Sequence, residues 1–329
     1  FENNNWIYLF YSLAGDKPVQ HVSRFDFSDE GLDMDSEKVV LEIPLQRDEC
    51  CHSAGSLEFG PNGNLFISTG DNTNPHESDG YSPSDEREGR GPFDAQKSSA
   101  NTNDLRGKIL RIKPEADGGY SIPEGNLFPE GTEKGRPEIY VMGCRNPYRI
   151  SVDQHTGYLY WGDVGPDAGE DSLSRGPMGY DEVNQAKGPG FYGWPYFVGN
   201  NRPYKKYDFA KKVSLESFDA SKPINQSPNN TGMQELPPAQ PAFIYYPYGA
   251  SNEFPIVGDG GRNAMAGPVF YTEDYADTDK RFPGYYNGKL FTYDWMRGWI
   301  MAVTMDDDGS FKRMERFLPS QKFSNPIDI

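Results

Sequence analysis

One pattern constrains this chain more than any other: a turn, an apolar run and an aspartate, met three times. It runs Asn62-Gly63-Asn64-Leu65-Phe66-Ile67-Ser68-Thr69-Gly70-Asp71, then Thr156-Gly157-Tyr158-Leu159-Tyr160-Trp161-Gly162-Asp163, then Asn287-Gly288-Lys289-Leu290-Phe291-Thr292-Tyr293-Asp294. An Asn-Gly pair ahead of a β-run signals a tight hairpin, because both turn positions favour positive φ. A second unit alternates with it: a period-2 strand, an acidic turn with glycine, and another strand. Val22–Phe27 before Asp29-Glu30-Gly31, Lys108–Ile112 before Asp117-Gly118, and Ile300–Met305 before Asp306-Asp307-Asp308-Gly309 follow this form. Alternating the two units builds four-stranded antiparallel sheets, and such sheets repeated about an axis make a β-propeller. The segments 62–71, 156–163 and 285–294 then belong to different blades; direct pairing between any two would exclude the arrangement. A β-sandwich competes, but it rarely carries self-similar hairpins with loops this long.

Composition agrees with an all-β chain. Glycine (36) and proline (27) are abundant among the 329 residues, and aromatics make up 14 %. That is turn-rich, yet far too aromatic for disorder. A net charge of −17 repels nucleic-acid phosphates, so no nucleic-acid partner is expected. No apolar run approaches the length of a membrane span. The chain opens on Phe1 in place of an initiator Met and stops at Ile329 without a polar tail. It is read as the middle of a longer protein, one domain over 1–329, with incomplete first and last blades. Three stretches are too long to be turns: 72–106, 164–195 and 199–263. They hold Trp194, Tyr204, Tyr245, Tyr246 and Tyr248 and so are expected to be ordered, with only 208–240 a solvated excursion.

Four histidines are present. His21 and His155 sit beside strand and turn positions and read as surface residues, and His76 lies in a polar loop. His52 differs: it follows Cys50-Cys51 and precedes a strand, where a propeller residue faces the central channel. Metalloprotease, CxxC, P-loop, GxSxG and GxGxxG motifs are absent, which leaves zinc and nicotinamide chemistry without support. The abundant carboxylates leave a glycosidase-type acid pair open. The loop Gly162-Asp163-Val164-Gly165-Pro166-Asp167-Ala168-Gly169-Glu170-Asp171 offers carbonyls and carboxylates, hard oxygens that suit Ca²⁺; a solvated acidic turn is the alternative.

A series of segments then falls into a known order. It comprises 51–63 around His52, Thr69-Gly70-Asp71, Arg106–Ile112, Gly143-Cys144-Arg145-Asn146-Pro147, Asp163-Val164-Gly165-Pro166, Asp181-Glu182-Val183-Asn184 and Gly190–Pro195. Together they resemble the glucose/sorbosone dehydrogenase family, six-bladed propellers that oxidise sugars with pyrroloquinoline quinone (PQQ). The resemblance covers about residues 1–200 and, more loosely, 262–329. It implies that His52 is the base that takes the C1 hydroxyl proton while hydride leaves for the quinone. It implies that Arg145 stabilises the reduced cofactor and that Asn146 binds it. The carbonyls of Gly165 and Pro166 would hold Ca²⁺, with Asp163 or Asp167 nearby. Where the family anchors the quinone carboxylates with a lysine, Met296 stands, and Asn325 and Ile327 stand near two expected arginines. Arg149, Arg262 and Arg297 are the available substitutes. The three cysteines leave a vicinal Cys50-Cys51 disulfide, a bridge to Cys144 and free thiols all open; the family match makes the Cys144 bridge geometrically possible.

The expected function is PQQ-dependent aldose oxidation outside the cytoplasm, with a sugar substrate and a cytochrome, another acceptor or fused domains as electron partners. A carbohydrate-binding or scaffold propeller that has lost its cofactor is one alternative. A carbohydrate-active hydrolase or lyase is the other.

Overall fold

The computed structural model describes residues 4–276, 278 and 280–329; Phe1 lies outside them. Strands are numbered in chain order. The first sheet holds β1 (Trp6–Ser12), β2 (Val19–Ser28) and β3 (Gly31–Pro44). The second runs β4 (Ser56–Phe59), β5 (Leu65–Thr69), β6 (Lys108–Pro114) with short β7 (Tyr120–Ser121) turned back on it, then β8 (Ile139–Met142), and β12 (Gly190–Phe191) pairs parallel to β8. The third holds β9 (Ile150–Val152), β10 (Leu159–Asp163), β11 (Asp181–Ala186) and β17 (Ile244–Tyr246). The fourth holds β18 (Ala264–Phe270), β19 (Lys289–Asp294), β20 (Trp299–Met305) and β21 (Phe311–Arg316). Two small hairpins, β13 (Phe197–Val198) with β14 (Arg202–Pro203) and β15 (Lys205–Asp208) with β16 (Val213–Ser217), complete the set. Helix is limited to short 3₁₀ turns among the described residues.

The three repeats fall where the propeller requires. β5, β10 and β19 are each the second strand of a different sheet, and none pairs with another. Neighbouring residues on these strands feed different cores. Leu65 and Ile67 join Val22 and Ile43 of the first sheet, while Phe66 joins Val152 and Trp161 of the third. Tyr160 turns the other way, to Leu290 and Trp299 of the fourth sheet. Period-2 alternation therefore buries both faces of the inner sheets, and the sheets stack in sequence order. The hairpin signal works by two mechanisms. Asn62 and Gly63 both have positive φ (64° and 72°), but Asn287 sits at φ −57° and only Gly288 is left-handed, at 72°. A turn with one positive position needs its glycine, not its asparagine.

Several expectations are corrected. The fourth sheet is a full four-stranded meander rather than an incomplete blade, while the first has three strands among the described residues. The stretches 164–195 and 199–263 are not strand-free loops. They contain β11, β12 and β14 to β17, two of them only two residues long and therefore too short to show a period. The segment 208–240 is only partly solvated: β16 is largely exposed, but Phe218, Asn225, Ser227, Leu236 and Ala239 are buried. Asn225 donates from Nδ2 to the carbonyls of Gln96 and Ala100, so its polarity serves internal hydrogen bonds. His21 is buried on β2, edge-on to Tyr11 and 3.2 Å from Glu42, instead of lying on the surface.

Candidate active site

Asp71, just beyond β5, organises the site. Its Oδ1 lies 2.8 Å from His52 Nδ1 and accepts the Thr73 N–H at 2.9 Å. Its Oδ2 accepts Trp194 Nε1–H at 2.7 Å. A carboxylate facing Nδ1 places the proton there and leaves Nε2 with its lone pair. Burial holds the His52 imidazole below its usual pKa, the Arg145 charge adds to this, and Asp71 opposes both. His52 is thus neutral near pH 7. The strand end passes close beneath it: a Cβ on Gly70 would stand 2.0 Å from the His52 carbonyl oxygen, so no other residue fits there.

Arg145 closes on the same volume. Its carbonyl accepts the Asp71 N–H at 2.9 Å, and its guanidinium lies 5.8 Å from the Trp194 ring. Its Nη1 donates to Val164 O at 2.9 Å. Asp163, ending β10, accepts the Arg145 and Asn146 N–H groups, each at 2.7 Å. Asn146 Oδ1 accepts Ala54 N–H at 2.9 Å, tying this loop to the one that carries His52. A cavity of about 220 Å³ opens beside Asn146, lined also by Tyr148, Val164, Met265, Trp295 and Ile327. Larger clefts lie elsewhere, such as one of about 490 Å³ around Lys206 and Phe209, away from these groups.

The loop expected to hold metal is otherwise engaged. Arg262 forms an ion pair with Asp181, both side chains fully buried. Its Nη1 also donates to Gly165 O at 3.4 Å and its Nη2 donates to Pro166 O. Asp163 spends both oxygens on backbone N–H groups, and Asp167 is exposed, accepting Tyr248 O–H at 3.0 Å. Calcium needs six to eight oxygens. A guanidinium stands against the two carbonyls instead, and the residues present do not fit the ion.

The quinone's expected anchors are also missing. Arg297 directs its guanidinium at the carbonyls of Pro247, Val257, Gly258, Gly260 and Gly261, which occupies its N–H groups and removes it as a carboxylate partner. Met296 is half exposed, Asn325 Nδ2 donates to Trp295 O, and Ile327 O accepts Tyr293 O–H. Of the cysteine alternatives, Cys50 and Cys51 form the vicinal disulfide and Cys144 is a buried free thiol.

With this geometry in place, the relatives are informative. The family profile described as glucose/sorbosone dehydrogenase matches residues 1–235. The chain belongs to the glucose/sorbosone dehydrogenase family. HIPL1 protein of Arabidopsis thaliana is 28 % identical over 248 residues, 71 % of this chain and 28 % of that one. Quinoprotein glucose dehydrogenase B of Acinetobacter calcoaceticus is 24 % identical over 262 residues, 74 % of this chain and 50 % of its own. The chain thus spans half or less of the length of these curated relatives. The apo soluble aldose sugar dehydrogenase of Escherichia coli superposes with a TM-score of 0.56 at 19 % identity, covering 96 % of this chain and 68 % of that one. That likeness shows the fold, and the structural neighbours are β-propeller sugar dehydrogenases.

This family member keeps a second acid beneath the site. Burial pushes the Glu182 carboxyl up to about 8, and Asp163 up to about 7. Glu182 accepts Gly199 N–H at 2.6 Å, and its residual surface faces a small gap shared with Arg145, Gly165 and Trp194. A carboxyl raised in the folded state keeps its proton when the unfolded chain has lost it, so its contribution is full below the unfolded pKa and fades as pH rises towards the folded one. The Glu182 contribution to stability is expected to decline between about pH 4 and pH 8. Glu182→Gln should flatten that decline, read as urea midpoints across the range; a slope unchanged by the substitution would remove Glu182 as its source.

Sequence reasoning did not single out Asp71, Trp194 or Asp181 as working residues, although each stands in a quoted motif. The strand-ending aspartate of the repeat was the available signal.

Proposed function

We propose that this chain binds a sugar beside Asn146 and activates one of its hydroxyls with His52, the proton-transfer half of a sugar oxidation. The observation that carries the reading is the neutral His52 imidazole, held through Nδ1 by Asp71 and set next to Arg145. The hydroxyl proton goes to Nε2, and Asp71, steadied by Trp194, stabilises the imidazolium that forms. Arg145 supplies positive charge where negative charge develops. A two-electron acceptor of the quinone class, when bound, supplies the oxidising power. The chain itself supplies base, orientation and field. On this reading the ring has six blades, of which four sheets lie in this chain. The protein works outside the cytoplasm, where the Cys50–Cys51 disulfide persists, and a cytochrome, another acceptor or a fused domain takes the electrons.

A second reading, a carbohydrate-binding propeller without turnover, is favoured by Met296, Asn325 and Ile327 at the expected anchor positions. The hydrolase or lyase reading finds no carboxylate among the described residues that line the 220 Å³ cavity. Titration with PQQ, with and without Ca²⁺, followed by dye reduction over a panel of aldoses, separates the first two. Calcium-independent reduction is expected. Quinone binding without any turnover would establish the second reading instead.

A further inference from the structure

The loop before the first strand of three successive sheets does the same job. His52 precedes β4, Arg145-Asn146 precedes β9, and Arg262-Asn263 precedes β18. The strand-ending aspartate of each sheet holds its own loop. Asp71 faces His52 Nδ1, Asp163 accepts Asn146 N–H at 2.7 Å, and Asp294 accepts Asn263 N–H at 3.0 Å. Arg262-Asn263 is therefore the internal repeat of Arg145-Asn146. Both guanidiniums turn onto one loop: Arg145 meets Val164 O, and Arg262 meets Gly165 O and Pro166 O. We propose that Arg262 is a built-in cation standing in the place that the family resemblance gives to calcium.

A guanidinium suits that place. Its planar fork donates to several oxygens at once, and its charge is permanent. Asp181 pairs with it, while Asp181 itself also accepts Gly165 N–H at 3.0 Å and Ala264 N–H at 2.8 Å. The Tyr248 ring covers the outer face, 4.1 Å from the guanidinium carbon. The positive field at this edge of the pocket is then independent of free calcium. Its use in catalysis rests on the proposed function; its position does not.

Calorimetry and thermal melts with CaCl₂ alone test the idea. The wild type should neither bind Ca²⁺ nor gain stability from it. Arg262→Ala frees two carbonyls and the Asp181 carboxylate, and should bind Ca²⁺ in the ~10⁻⁴–10⁻³ M range with a rise in melting temperature. Arg262→Lys, which keeps a cation, should stay calcium-blind. A wild-type melting temperature that rises with Ca²⁺ would overturn the proposal, even if Arg262→Ala fails to fold. Sugar oxidation is read separately, so its absence bears on the proposed function and not on Arg262.

An independent observation carries a second site. Cys50 Sγ, Cys51 Sγ and a ring nitrogen of His76 all lie within 4.8 Å of one another, on loops open to solvent. No hydrogen bond engages the His76 ring among the described residues. We infer that the reduced pair and His76 bind a thiophilic d¹⁰ cation such as Zn²⁺ or Cd²⁺, with the disulfide as its gate. A phosphine reductant supplies two electrons and becomes its oxide with the oxygen of a water molecule, whose two protons complete the opening to two thiols. The metal then displaces both thiol protons and takes the imidazole lone pair, the S₂N donor set that such ions favour. Cd²⁺ titration with and without phosphine, followed by thiolate-to-metal absorption and calorimetry, tests this. One ion per chain is expected in the reduced protein alone, with binding at least ~10-fold weaker in His76→Ala, since even a residue that only supports a ligand is worth that much. Equal affinity in the two redox states, or binding undiminished in the double variant Cys50→Ser, Cys51→Ser, would assign it to other groups and end the inference.

Discussion

Replacing His52 with alanine is expected to lower sugar oxidation by ~10²–10⁴-fold, the usual contribution of a positioned base, while melting temperature changes little. Among the described residues the His52 side-chain hydrogen bond runs to Asp71, which keeps Thr73 and Trp194 as donors when the imidazole is gone. Asp71→Asn makes the complementary test. It removes the charge that raises the His52 pKa, and it leaves one amide oxygen to three donors that otherwise share two oxygens, which loosens the hold on the tautomer. Its rate should fall, with the acidic limb of the pH profile moving to lower pH, because the imidazole then sheds its proton more readily. An unchanged rate in His52→Ala would sink the base assignment. A normal rate with a shifted limb in Asp71→Asn would leave Asp71 an electrostatic neighbour only.

The second large effect lies in the buried pair. Asp181→Ala strands the Arg262 charge and orphans the N–H groups of Gly165 and Ala264, so a loss of about 3–5 kcal/mol is expected in urea unfolding. Arg262→Ala should cost less, since Asp181 keeps two backbone donors. Removing both should cost less than the two single losses combined, because neither charge is left unpaired. Additive losses would mean that the pair is not coupled, and the field ascribed to Arg262 would then lack its anchor.

The sheet architecture was legible because both faces of the inner strands are buried and the repeat keeps its turn, its apolar run and its aspartate. The two-residue strands from β12 to β14 were not, since a period of two needs more than two residues to show. The proximity of His52 and Arg145 was an expectation carried by their motifs. The work of Asp71 was hidden, because Trp194, its other partner, arrives from a distant segment through contacts that spacing cannot convey. Arg262 was visible as a cation but was weighed as a carboxylate anchor. Only the closeness of the Gly165 and Pro166 carbonyls reveals what it faces. His21 was misplaced by composition, which cannot register that β2 is covered on both sides.

Because the aspartate that ends a strand also grips the loop carrying the reactive side chain, ancestry and chemistry leave different marks on a sequence like this one. Asp71, Asp163 and Asp294 bind backbone or buried groups whatever the pocket does. A lineage that abandoned turnover would keep them, and their presence is a poor diagnostic of an active enzyme. Position 262 carries a different obligation, to Asp181 and to the Gly165 and Pro166 carbonyls. Among sequences sharing these aspartates, the side chain found there is the better guide to which ones need a metal.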